Sequence, residues 1–74
     1  MIRLKDLRED RDLSQNDIAR MLNISQTNYS KYELNKINIP LETLKKLAFF
    51  FDTSIDYILG ITNVITPYPR AKNN

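Results

Sequence analysis

The fold is decided by residues 13–33, LSQNDIARMLNISQTNYSKYE. The first half of this stretch places Ile18 and Leu22 at helical spacing, behind Ser14, which has the small hydroxyl side chain of a helix N-cap. Asn23 follows the last apolar residue, and asparagine tolerates the left-handed conformation that ends many helices. The pattern therefore predicts a helix of about two turns that stops at a tight turn.

The second half of the stretch predicts another short helix. Ser25 is a second N-cap candidate, and the helix behind it is expected to run from Gln26 to about Leu34. Tyr29 and Tyr32 are three residues apart and share a face that we expect to point inward, with the hydroxyls reaching the surface. Stacking of these rings on unpaired bases is the alternative. Ala19 is small enough for the second helix to cross closely, which favours a helix-turn-helix whose second helix projects as a rigid probe.

Helical periodicity continues outside this unit. An apolar stripe predicts a helix over residues 2–12, and a second helix is expected with Pro40 in its first turn, where the missing N–H does no harm. A fifth helix is capped by Thr53 or Ser54 and stopped by Gly60. No segment alternates apolar and polar residues for long, so strands are not expected. The sequence predicts a compact all-α fold of five short helices.

Domain organisation follows from where this periodicity stops. Residues 1–62 are predicted to form one domain, and residues 63–74, with two prolines and a polar end, are predicted to be an extended or partly disordered tail. At 74 residues the chain has no room for a second domain.

Composition excludes several classes of protein. The chain has no cysteine and no histidine, so a disulfide framework and the usual zinc site are excluded, and no metal or cofactor is expected. No carboxylate pair is evident either, which argues against an enzyme. No apolar run approaches the roughly 20 residues needed to cross a bilayer, so a cytoplasmic protein without a membrane partner is expected. The net charge of +2 permits nucleic-acid binding without indicating it.

The polar face of the second helix carries the functional prediction. Gln26, Thr27, Ser30 and Lys31 are expected to point outward, with Asn28 beside them. Glutamine can form paired hydrogen bonds with adenine, threonine can contact the thymine methyl group, and lysine can reach guanine or phosphate. The alternative is that a short amphipathic helix simply needs a solvated face. The surrounding helix-turn-helix frame favours base contact over that alternative.

The chain resembles a known family in three consecutive motifs. LSQNDIARMLNIS, followed by YSKYELNK and LETLKKLA, resembles the Cro/repressor-like (XRE) family of bacterial and phage helix-turn-helix regulators, over about residues 2–60. The resemblance implies a lambda-repressor-like fold and a sequence-specific duplex DNA-binding transcriptional regulator, of the repressor type. This sequence departs from the family at Asn23 and Asn35, where glycine is common, and at Ile39–Pro40, where proline is more often followed by serine.

The resemblance also implies roles for individual residues. The family's base contacts fall on Gln26, Thr27 and Lys31, with Asn28 adjacent, and a helix-one arginine that pairs with a glutamate corresponds to Arg8 and Glu33. We expect that pair to brace the fold. Phosphate contacts are expected from the start of the second helix and from the end of the third, at Ser14, Gln15, Asn16, Ser30, Asn35, Lys36 and Asn38.

Two kinds of partner are expected. A homodimer on a palindromic operator is expected, with half-sites about 34–36 Å apart. An apolar patch of Phe49 and Tyr57 together with Ile61 is the candidate subunit interface. A protein antagonist or an inducer would have to act on this small domain or its partner. An antitoxin-like or other protein-interaction module on the same fold is the alternative function.

Overall fold

The computed structural model describes residues 1–69 and places five helices and no strand in that range. They are α1 Leu4–Glu9, α2 Gln15–Leu22, α3 Gln26–Glu33, α4 Leu41–Phe50 and α5 Ile55–Ile58. The all-α, five-helix prediction is confirmed. Within residues 1–69 no helix has the length and apolar character that crossing a membrane requires.

The helices enclose one apolar core. α2 packs against α3, α4 packs against α5, and α1 packs on α3. The largest side chains that are fully buried come from every helix in turn: Leu4, Ile18, Tyr29, Leu47 and Ile58. The helix-turn-helix therefore shares one core with α1, α4 and α5, and the opposite side of α3 is exposed.

The prediction was wrong about the bounds of α1. The helix covers Leu4–Glu9 rather than residues 2–12. It starts late because the Arg3 N–H donates to the Ile58 carbonyl (2.9 Å), so the chain before α1 is tied to α5 instead of continuing the helix. It ends early because Asp12 has a φ of 56°, which reverses the chain. The prediction also placed Pro40 one residue too far into α4. Pro40 is the N-cap of this helix and lies one residue before its first turn.

All five helices end in the same way. At the end of each helix one residue has a positive φ. The N–H of the residue after it donates to the carbonyl five positions earlier, as the Ile24 N–H does to the Ala19 carbonyl (2.9 Å). This hydrogen-bond pattern is the Schellman motif. The predicted left-handed conformation of Asn23 is confirmed, and Asn35, where the family commonly has glycine, adopts it as well. The full set of positive-φ residues is Asp12, Asn23, Asn35, Asp52 and Gly60.

These helix ends give a prediction with two opposite signs. Asp12→Gly should raise the free energy of unfolding by about 0.5–1 kcal/mol, because glycine adopts positive φ without the strain of a β-carbon. Gly60→Ala should lower it by about 1–3 kcal/mol, because φ is 79° and a β-carbon would lie 2.4 Å from the Met1 carbonyl oxygen. Urea unfolding followed by circular dichroism measures both values. Equal effects of the two substitutions would contradict this reading of the helix ends.

Residues 61–69 contain no helix and pack back on the body. The Arg3 guanidinium donates to the Thr62 carbonyl and to Asn63 Oδ1. Thr53 Oγ1 donates to the Ile65 carbonyl (2.5 Å), so this part of the predicted tail has fixed contacts. The domain boundary after residue 62 stays a prediction. The end of the predicted tail, residues 70–74, lies outside the described residues.

Candidate nucleic-acid interface

The N-terminus of α2 is fixed by a capping box. Ser14 Oγ accepts from the Asp17 N–H (3.1 Å), and the Ser14 N–H donates to Asp17 Oδ2 (2.8 Å). The bond from the Ser14 N–H lowers the pKa of Asp17. The predicted cap is therefore confirmed, and it fixes the first turn of α2, where backbone N–H groups lack intrahelical partners.

The turn between α2 and α3 sets the direction of α3. Asn23 ends α2 with φ 58° and ψ 44°, and Ser25 caps α3 by accepting from the Asn28 N–H (3.1 Å). Ala19 is almost fully buried where the two helices pack together. The small side chain at this position and the two capped termini hold α3 in a fixed position against α2.

The inner face of α3 is aromatic. Tyr29 is fully buried and Tyr32 nearly so, and their rings meet edge to face with centroids 6.4 Å apart. The inward prediction is confirmed, and stacking of these rings on bases is excluded because neither ring is accessible. The expectation that both hydroxyls reach the surface is wrong for Tyr29, whose hydroxyl is buried without a hydrogen-bond partner in the described chain. Burial, and then the nearby Glu33 carboxylate, raise the pKa of Tyr29 well above its ordinary value.

The outer face of α3 is polar. Gln26, Thr27, Asn28 and Lys31 are exposed, and Ser30 is half-buried. An open groove runs along this face, which we call the α3 groove; its lining residues are Gln15, Gln26, Thr27, Ser30, Lys31, Leu34 and Lys36. The structure thus brings Gln15 and Lys36, from outside α3, together with three of the four residues predicted to contact bases.

The other predicted contact residues are placed around this groove. Ser14, Asn16, Asn28, Asn35 and Asn38 are exposed, but they do not line the α3 groove. Leu34, by contrast, lines the groove and is 60% exposed, although the sequence did not suggest it. Its spacing of three residues from Lys31 is the signal that would have identified it. An exposed leucine at this position can contact the methyl group of thymine.

Behind the groove lies a buried ion pair, the Arg8–Glu33 brace. Arg8 Nε lies 2.7 Å from Glu33 Oε2 and Nη2 lies 3.2 Å from Oε1, while Nη1 donates to the Leu13 carbonyl (2.8 Å). The two side chains are only 11% and 4% exposed. The predicted pair is confirmed, and it ties α1, the loop before α2 and the end of α3 together.

The brace contains one further contact, which the sequence did not indicate. Gln15 Nε2 donates to Glu33 Oε1 at 3.1 Å. Burial by itself raises the pKa of Glu33, but the hydrogen bonds from Arg8 and Gln15 outweigh it and lower the pKa below its usual range. The hydrogen bond to Glu33 raises the pKa of Arg8 in turn. Both groups are therefore charged near neutral pH, and the carboxylate behind the groove is neutralised by its partner.

The electrostatics of the α3 groove suit an anionic partner. Lys31 and Lys36 are exposed on it, and no carboxylate is among its described lining residues. The remaining side chains offer amide and hydroxyl groups that both donate and accept hydrogen bonds. Within residues 1–69 no group of three or more histidine, cysteine, aspartate or glutamate side chains is placed to hold a metal ion. The side chains of the α3 groove can bind phosphates and the edges of bases.

The candidate interface residues differ in their exposure and in their contacts. Phe49 is 69% exposed and lines an apolar groove with Met21 and Phe50. Tyr57 is half-buried, and its ring packs beneath the Arg3 guanidinium, 4.3 Å away. Ile61 is 69% exposed just after α5. The subunit interface at these residues stays a prediction.

Two capped helices, a tight turn between them and a polar outer face on the second define a helix-turn-helix domain. A family model described as "Helix-turn-helix" matches residues 4–58, and the chain belongs to this family. The uncharacterized HTH-type transcriptional regulator YobD of Bacillus subtilis is 37% identical over 71 residues, which is 96% of this chain. The HTH-type transcriptional regulator ImmR of the same organism is 38% identical over 58 residues, 78% of this chain.

A third relative comes from another organism. The cryptic phage CTXphi transcriptional repressor RstR of Vibrio cholerae is 36% identical over 53 residues, 72% of this chain. The matched parts are 63% of YobD, 46% of ImmR and 48% of RstR, so the chain spans less than two thirds of each of these relatives. These relatives are named for transcriptional regulation rather than for an enzymatic activity. The family match confirms the resemblance to helix-turn-helix regulators that the sequence motifs indicated.

Proposed function

We propose that this chain binds duplex DNA sequence-specifically, as a transcriptional regulator, by inserting α3 into the major groove. The α3 groove is the observation that carries this proposal, because it places Gln26, Thr27 and Lys31 on one exposed face next to two further polar residues from outside α3. The size of an α-helix matches the width of the major groove, and these side-chain types can distinguish base pairs there. The names of the relatives support transcriptional regulation as the context.

The two sets of contacts have separate roles in this proposal. Gln26, Thr27, Asn28 and Lys31 contact base edges, whereas the residues around the start of α2 and the end of α3 contact phosphates and fix the register on the duplex. The second set comprises Ser14, Gln15, Asn16, Ser30, Asn35, Lys36 and Asn38. Gln15 and Lys36 are the best placed of these, since both line the α3 groove.

The proposal extends to a homodimer on a palindromic operator in the cytoplasm, acting as a repressor. A two-fold dimer would place two α3 helices about one turn of DNA apart, roughly 34–36 Å. The exposed apolar side chains of Phe49 and Ile61 support a subunit interface near α4 and α5. The repressor named among the relatives supports the direction of regulation, which also depends on where the operator lies.

Phosphate contact gives a prediction about salt. Lys36→Ala should weaken binding to all duplexes by a similar factor and reduce the slope of log K against log salt by about 1, because one phosphate neutralisation is lost. Lys46→Ala, an exposed lysine of α4 that does not line the α3 groove, is the matched control and should leave the slope unchanged. Fluorescence anisotropy with a labelled duplex at several salt concentrations measures both. An unchanged slope in Lys36→Ala would remove this residue from the phosphate set.

A titration of the wild-type chain with mixed duplex DNA tests the proposal itself. Binding that is measurable at low salt and weakens steeply as salt rises is expected. No affinity at low salt would contradict the proposal and favour a protein-interaction module on the same fold.

A further inference from the structure

The Gln15–Glu33 hydrogen bond joins the brace to the α3 groove. Glu33 is held from one side by Arg8, and its Oε1 accepts from Gln15 Nε2 at 3.1 Å. The Gln15 side chain is half-buried and lines the groove, whereas the Glu33 side chain is only 4% exposed behind it. Glu33 is therefore in contact with a groove residue without being accessible to a partner itself.

The geometry of the carboxamide gives this contact a consequence. A glutamine side chain has two N–H donors in one plane, and one donor of Gln15 is used by Glu33. The bond fixes the amide plane and so fixes the direction of the second N–H. Gln15 is also the first residue of the eight-residue helix α2, whose unpaired first-turn N–H groups lie beside it. A phosphate oxygen can accept at once from the second Gln15 side-chain N–H and from a backbone N–H of this first turn.

We propose that Glu33 is a positioning residue for DNA binding, which orients the Gln15 carboxamide toward a phosphate while Arg8 neutralises its charge. This inference rests on the proposed function. Without Arg8, a carboxylate so close to the groove would repel a phosphate. Because Arg8 neutralises this charge, Glu33 acts only as a hydrogen-bond acceptor of fixed position for Gln15. Glu33 thereby links the stability of the fold to one contact with the DNA backbone.

The first test needs no DNA. ¹⁵N relaxation of the side-chain amides compares Gln15 with Gln26, whose side chain is exposed on the outer face of α3. In the wild-type chain the Gln15 amide should be restrained and the Gln26 amide mobile. In Glu33→Asp, whose shorter carboxylate keeps the charge for Arg8 and is withdrawn from Gln15, the two should become similar. Equal mobility of both amides in the wild-type chain would overturn the proposal. If Glu33→Asp does not fold, the wild-type comparison of the two amides still decides the test.

The second test is a double-mutant cycle on duplex affinity, made under conditions in which circular dichroism shows every variant to be folded. Gln15→Ala and Glu33→Asp should each weaken binding about threefold to tenfold, the value of one hydrogen bond. The double variant should bind the duplex at most about twofold more weakly than either single variant, because both changes remove the same contact. Additive losses would overturn the proposal, since Glu33 would then affect binding by a route that does not pass through Gln15. Absence of wild-type affinity would overturn the proposed function instead, and the amide measurement would still decide whether Glu33 positions Gln15.

Discussion

Replacing Tyr29 by alanine is expected to lower the free energy of unfolding by about 3–5 kcal/mol, the range for truncating a large buried aromatic side chain. Tyr29 is completely buried in the core at the centre of α3. A domain of this length has a total stability on the order of 4–11 kcal/mol, so the variant should be largely unfolded at moderate temperature. Urea or thermal unfolding followed by circular dichroism measures the loss.

Two further variants separate the causes of this loss. Tyr29→Phe should change the stability by less than about 1 kcal/mol, because the buried hydroxyl has no hydrogen-bond partner within residues 1–69. Tyr68→Ala removes the same side chain from a site that is 63% exposed, and should also cost less than about 1 kcal/mol. A Tyr29→Ala variant as stable as Tyr68→Ala would contradict the placement of this ring in the core.

Glu33→Ala is expected to lower the free energy of unfolding by about 3 kcal/mol, the lower end for breaking a buried ion pair from one side. Arg8 would be left with a buried charge and with only the Leu13 carbonyl as its remaining acceptor in the brace. The lower end applies because the Arg8 side chain retains 11% exposure to solvent, which partly hydrates the guanidinium. Urea unfolding at neutral pH measures this change.

The surface pair Glu42–Lys45 provides the matched control. These side chains are 81% and 58% exposed, with 3.3 Å between Glu42 Oε1 and Lys45 Nζ. Glu42→Ala should therefore change the stability by less than about 0.5 kcal/mol, because solvent screens an exposed pair. Similar losses in the two variants would show that the Arg8–Glu33 brace contributes no more than a surface contact.

The lowered pKa of Glu33 predicts how stability depends on pH. A carboxyl group with a lower pKa in the folded state stabilises the fold above its unfolded pKa, about 4.3, and loses this contribution as the pH falls toward the folded value. Stability should therefore decrease below about pH 4.5, and Glu33→Gln should reduce this decrease. Unfolding free energies measured from pH 6 to pH 2.5 give the comparison. An identical pH profile in the variant would exclude Glu33 as a source of the acid sensitivity.

The helix-turn-helix could be predicted from sequence because local signals determine it. Ser14 and Ser25 begin helices by capping backbone N–H groups, and Asn23 ends one by adopting positive φ; each of these choices depends on a few neighbouring residues. The division of α3 into an inner and an outer face follows from its helical period alone. These features were confirmed, and they place the α3 groove.

Other features depend on contacts between residues far apart in the chain. The start of α1 is set by the bond from Arg3 to the Ile58 carbonyl, and the path of residues 61–69 by bonds to Arg3 and Thr53. The positive φ of Asp12 was missed because aspartate is as common in caps and on charged surfaces as at left-handed positions. The Gln15–Glu33 bond links positions 18 residues apart, which no periodic pattern reports.

The outer face of α3 is tested most directly by affinity for a DNA site selected from random sequence. Gln26→Ala and Lys31→Ala should each weaken binding to the selected site by about five- to 100-fold, the value of one good contact to a base, and should bind mixed duplex almost as well as the wild type does. Lys46→Ala should bind both DNAs as the wild type does. Wild-type affinity for the selected site in both α3 variants would show that this face does not read the sequence.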